Sequence, residues 1–171
     1  MTTQLKIGLA QLNPTVGAVS HNLEKARDAI SKLRDADLVL FPELYIAGYP
    51  PEDLVLRRSF VAACKTAVED LAREFAEGPA ILIGLPWRDG DKLYNSVALL
   101  NGGRIETVRH KHDLPNYGVF DEKRVFDAGP APGPLVVKGV RIGVPICEDI
   151  WTEETCETLV ETGAEILLSP N

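Results

Sequence analysis

The chain has 171 residues, 45% of them hydrophobic, which suits one domain with a substantial core and argues against disorder. Twenty-five acidic against eighteen basic residues give a net charge of −7, so there is no broad electrostatic footprint for nucleic acid or an anionic membrane. The start MTTQLKIGLAQL lacks the regions of a secretory signal, and no apolar run is long enough to cross a bilayer, so a soluble cytoplasmic protein is expected.

LKIGLAQL reads as a first strand, followed by a helix from about Ser20 with Leu23, Ala26, Ile30 and Leu33 on one stripe. DLVLFPE is a short buried strand stopped at Pro42, which has no amide to donate. A second helix carries Phe60, Val61, Cys64, Val68, Leu71 and Phe75 on its inner face and ends at Gly78-Pro79. AILIGLP is a third strand, ending at Pro86. YNSVALL and RIETVRHK form a hairpin about Asn101-Gly102-Gly103, and LVVKGVRIGVPIC forms another about Lys138-Gly139. DAGPAPGPL, between the hairpins, is a surface loop rather than a domain boundary. Thr152 caps a short helix, TEETCETLVETG, which closes at Gly163 and leads into a buried strand, EILLSPN. The order of elements gives an α/β fold with helices packed on a mixed sheet.

Three predicted strand ends carry polar groups that packing does not require: Glu43 after LVLFP, Lys111 after ETVRH and Cys147 after GVPI. Each alone has an ordinary structural role, as a surface acid, a strand lysine and a buried small hydrophobe. Together they make chemical sense. A free thiol is mostly protonated at neutral pH, a carboxylate can take its proton, and an ammonium can stabilise both the thiolate and the oxyanion of an attacked carbonyl. That set suits amide cleavage through a thioester. His110 or His112 could instead serve as base for Cys147, although no thiol-protease signature surrounds it. A metal held by His-Lys-His lacks a third ligand, and three cysteines without C-x-x-C spacing suit neither zinc nor a disulfide framework. The glycine turn at 101–103 lies between strands, so it is no phosphate cradle.

FPELYIAGYPPEDL, RHKHDLPNYGVFDEKRVFDAG and GVPICEDIW resemble the three catalytic segments of the nitrilase, or carbon-nitrogen hydrolase, superfamily. Within it, GYPPEDL and LPNYGVFDEKRVF are similar to the N-terminal glutaminase domains of glutamine-dependent NAD synthetases. The resemblance runs over nearly all of residues 1–171 and implies an α-β-β-α sandwich. It implies Glu43 as general base, Lys111 as oxyanion-stabilising cation, Cys147 as nucleophile and Glu122 as a supporting carboxylate. It also implies a glutamine pocket formed by Tyr49, Tyr117 and Glu148, with the Glu148 carboxylate facing the substrate's α-amino group.

On the same ground glutamine and a synthetase domain are the expected partners. No cofactor is expected here, because ATP, Mg and the NAD precursor belong to the synthetase domain. The family's fold continues past LLSPN, so a fold cut short at its C-terminal side is expected, and an unpaired sheet edge favours a homo-oligomer. The alternatives are another amidase, carbamoylase or nitrilase, against which GYPPEDL counts, and a catalytically incomplete fragment.

Overall fold

The computed structural model describes residues 4–171 and divides the strands between two sheets. The larger has the order β1 (Ile7–Leu9), β2 (Leu38–Leu40), β3 (Ala80–Asp89), β4 (Lys92–Asn101) and β5 (Arg104–His110). Its first three strands are parallel and the rest antiparallel. The smaller sheet holds β6 (Leu135–Val137), β7 (Val140–Gly143) and β8 (Ile166–Leu167).

Strand alternation explains the layers, because successive side chains face opposite sides. Val39, Ile81, Ile83, Leu85, Ala98 and Leu100 face α1 (Val19–Lys32) and α2 (Arg58–Glu74), which bury Leu23, Ala26, Ile30, Cys64, Val68 and Leu71 against them. The alternate residues Leu38, Leu82, Val97 and Leu99 meet Leu135, Val137, Val140 and Ile142 of the smaller sheet. On that sheet's far side lies α3 (Glu153–Glu161), whose Leu159 Cβ comes within 3.3 Å of where a Gly143 side chain would stand. The layering is therefore α-β-β-α. Each fully buried leucine or isoleucine at these interfaces contributes about 1.5–3 kcal/mol.

The order of elements alone suggested a mixed sheet, and the two-sheet division is instead the α-β-β-α sandwich that the family resemblance implied. The helix stripes are as expected, though Leu33, Phe60 and Phe75 are only partly buried and α2 stops at Glu74, before Gly78-Pro79. β3 runs through Pro86 to Asp89 and turns at Gly90-Asp91 into β4. Proline is tolerated there because β2 pairs with β3 only as far as Leu82, leaving the outer edge of β3 without a strand partner beyond it. β7 ends at Gly143, so Cys147 lies beyond the strand rather than on its last residue. Pro145 cannot continue the ladder. β8 is two residues long and half-exposed, with Leu167 43% accessible, rather than a buried strand. Both turn pairs, Gly102-Gly103 and Lys138-Gly139, have positive φ, as tight hairpins require.

Candidate active site

Glu43 and Lys111 lie just outside regular elements, and Cys147 opens a short helical turn beyond β7. The chain leaves β2 through Phe41 and Pro42 and crosses the unpaired edge of β3. This brings Glu43 into the interior, where it is 3% exposed. The crossing depends on Gly84: a Cβ there would stand 2.3 Å from the Leu44 amide nitrogen and 2.5 Å from the Pro42 carbonyl oxygen. Lys111 follows β5 directly. Its amide donates to the Asn95 carbonyl at 2.8 Å, and its own carbonyl accepts from Gly129 at 2.8 Å. Gly129 is also required, since a Cβ would lie 2.5 Å from His110 Cβ.

The Lys111 ammonium is fully buried between two carboxylates, 2.7 Å from Glu43 Oε1 and 2.9 Å from Glu122 Oε1. Burial alone lowers the ammonium's pKa, but the two acids outweigh it and hold it above the usual lysine value. Burial and the Glu43 charge raise the Glu122 carboxyl. Asn95 completes the cluster, its Nδ2 donating to Glu43 Oε1 at 2.7 Å and to Glu122 Oε2 at 3.3 Å.

Cys147 begins a turn of 3-10 helix, Cys147–Trp151, with φ +47, a conformation that a non-glycine residue adopts only when its surroundings force it. Its amide donates to the Pro170 carbonyl at 3.0 Å. Burial, and then the nearby Glu43 carboxylate acting through charge and hydrogen bonding, push the thiol up to about 12, against a smaller opposing pull from Lys111. The resting cysteine is a neutral thiol beside a carboxylate. Among the described residues the Glu148 amide, next in the turn, donates to no acceptor outside its own short helix.

Asp149 holds this turn in place. It is 1% exposed and accepts from the amides of Ile146 at 2.9 Å, His112 at 3.0 Å and Asp113 at 2.7 Å. One carboxylate thus joins the segment after Lys111 to the residue before Cys147. Asp113 extends the link by accepting from Thr152 Oγ1 at 2.6 Å and Thr155 Oγ1 at 2.8 Å. Thr152 was expected to cap α3 with its side chain. It stands at the cap position, but its hydroxyl serves Asp113 instead.

The three residues expected to recognise substrate fall into two places. Tyr117 is 59% exposed, and its hydroxyl donates to the Glu148 carboxylate at 2.9–3.0 Å. Both line a cavity of about 380 Å³ with His112, Asp113 and Lys123. Tyr49 lines a separate cavity of about 40 Å³ beside Glu122. Its hydroxyl is raised by burial and by the charges of Glu43 and Glu122. The histidines have other work: His110 stacks on Tyr94 and meets Ser96 Oγ at 2.7 Å, while His112 Nδ1 donates to the Gly129 carbonyl at 2.7 Å.

Asn95, Asp149, Gly84 and Gly129 were not singled out from sequence. An asparagine inside the apolar run YNSVALL, and an acid three residues beyond Ile146, were the available signals.

A thiol on a strained turn beside a buried acid-ammonium-acid cluster, set in an α-β-β-α sandwich, defines a cysteine-dependent amide hydrolase. The chain belongs to the carbon-nitrogen hydrolase family, whose sequence profile matches residues 6–171. It is 46% identical to the glutamine-dependent NAD(+) synthetase of Xanthomonas campestris pv. campestris (strain 8004), over 98% of this chain and 31% of that protein. Among solved structures it is similar to a glutamine-dependent NAD+ synthetase from Acinetobacter baumannii in complex with ADP. There the TM-score is 0.92 and the identity 36%, over 99% of this chain and 32% of that one. It also resembles an amidase from Nesterenkonia sp. AN1 whose structure shows Michael addition of acrylamide at the active-site cysteine. That match has a TM-score of 0.80 and 26% identity, over 98% of this chain and 66% of the other. The chain thus spans under a third of the length of the synthetases it matches.

Proposed function

We propose that these residues form the glutaminase part of a glutamine-dependent NAD synthetase, releasing ammonia from the side-chain amide of glutamine. The observation that carries this is the buried Lys111 ammonium bridging Glu43 and Glu122 beside the Cys147 thiol. In this reading Glu43 takes the thiol proton as the sulfur attacks the amide carbon. The tetrahedral oxyanion is held by the Lys111 ammonium and the Glu148 amide. The proton then passes from Glu43 to the leaving nitrogen, which departs as ammonia and leaves a γ-glutamyl thioester. Glu43 next takes a proton from water, the hydroxide adds to the thioester, and glutamate leaves as the sulfur is reprotonated. Glu122 keeps Lys111 charged and in place. Tyr117 and Glu148 line the larger cavity, and their hydroxyl and carboxylate suit the α-amino group of glutamine. Tyr49 walls the reacting centre from the other side.

ATP, Mg²⁺ and the dinucleotide precursor are, in this reading, handled by a synthetase domain that receives the ammonia. The chain acts in the cytoplasm and self-associates.

The test is ammonia release from glutamine, measured against asparagine, simple aliphatic amides and nitriles. Glutamine-selective release that Cys147→Ala abolishes supports the proposal. Release from simple amides but not glutamine favours a plain amidase, the reading to which the Nesterenkonia structure lends weight.

A further inference from the structure

Asn95 stands within β4 at 1% exposure, and it touches all three charged members of the cluster. Its side-chain nitrogen serves both carboxylates, and its main-chain carbonyl accepts the Lys111 amide at 2.8 Å. Its Oδ1 is buried with no partner among the described residues. A buried polar atom left unpaired calls for a structural reason. Here the carboxylates supply it, because the reversed amide would set its oxygen against theirs.

We propose that Asn95 is a positioning residue for the reaction: it holds the Glu43 and Glu122 carboxylates on either side of Lys111 and so turns Glu43 Oε2 toward the Cys147 thiol. Glu43 Oε1 already accepts from Asn95 and Lys111. Oε2 accepts from no nitrogen donor among the described residues, which makes it the oxygen available for the thiol proton. Lys111, Glu122 and Cys147 face Glu43, and Tyr49 and Asp121 lie beyond them. Among the described residues only Asn95 and Lys111 bind both carboxylates, and Asn95 does so without adding charge.

The role is tested on the 171-residue chain labelled with ¹³C at the glutamate carboxyls, with Glu43→Gln and Glu122→Gln assigning the two signals. Asn95→Leu keeps the side chain's outline and removes the donor, so the Glu122 titration midpoint, which the Asn95 hydrogen bond pulls down against burial and the Glu43 charge, rises further. The kcat of glutamine hydrolysis falls about tenfold or more, and KM stays within about twofold. Should the leucine variant not fold, Asn95→Ala is read in the same way. An unmoved Glu122 midpoint in a folded variant overturns the proposal, whatever happens to thermal stability. The kinetic arm rests on the glutaminase reading and the titration does not. A wild-type chain inert toward glutamine would therefore count against that reading, while Asn95 is still judged by the carboxyl signals.

Discussion

Glu43 and Lys111 have opposite effects on the thiol, and this separates nucleophile chemistry from catalysis. Because the Glu43 charge holds Cys147 up, Glu43→Gln lets the thiolate form at lower pH while removing the base. Iodoacetamide should modify Cys147 faster in this variant than in the parent at pH 8, while hydrolysis falls by about a thousandfold or more. Slower alkylation would mean that Glu43 also activates the thiol against reagents. Lys111→Met leaves two buried carboxylates facing each other without a cation, at a cost of roughly 3–5 kcal/mol near neutral pH. The sign with pH follows. Without the ammonium, Glu122, already raised by burial and by the Glu43 charge, loses the partner that pulls it down, so its charged form costs the variant stability that is lost as pH rises toward its folded value. Thermal melts between pH 5 and 8 should show the gap to wild type widening upward, and a constant gap would contradict the pairing.

At the scale of elements, the site depends on how loops cross strands. Gly84→Ala puts a methyl where Leu44 and Pro42 backbone atoms already stand, so the Glu43 loop must lift. We expect about 1–3 kcal/mol of lost stability and a much larger proportional loss of kcat, seen by comparing melts with ammonia release. Full activity in a folded variant would contradict the account. Asp149→Ala strands three amides, and roughly 3 kcal/mol is expected, lowering the melting midpoint by about 6–12 °C.

What the sequence disclosed differs by element. The stripe Leu23, Ala26, Ile30 was legible because a helix facing one apolar layer must repeat at 3–4 residues. The reach of β3 past Pro86 was hidden, because a proline stops a strand only if its missing amide was needed, and that depends on the neighbouring strand. The types and order of Glu43, Lys111 and Cys147 could be read. Gly84, Gly129 and Asp149 could not be assigned, because each matters through a contact with a residue distant in sequence.

Across the whole molecule, the charged cluster is buried in a fold whose larger sheet is packed with apolar side chains on both faces. The outer surface is less complete: Leu9 on β1 is 67% exposed, Val136 on β6 is 50% exposed and Trp151 after the cysteine is 79% exposed. Apolar side chains on sheet edges favour association. Light scattering after size exclusion should therefore give a mass above the 18.7 kDa of one chain at tens of micromolar. A strictly monomeric peak would oppose self-association.

The most direct test of the central claim is mass spectrometry of the chain quenched in acid while turning over glutamine. The account predicts a glutamyl group on the peptide containing Cys147, absent from Cys147→Ala and from Glu43→Gln. Glutamine consumed with no adduct at Cys147, or with the adduct on Cys64 or Cys156, would contradict it.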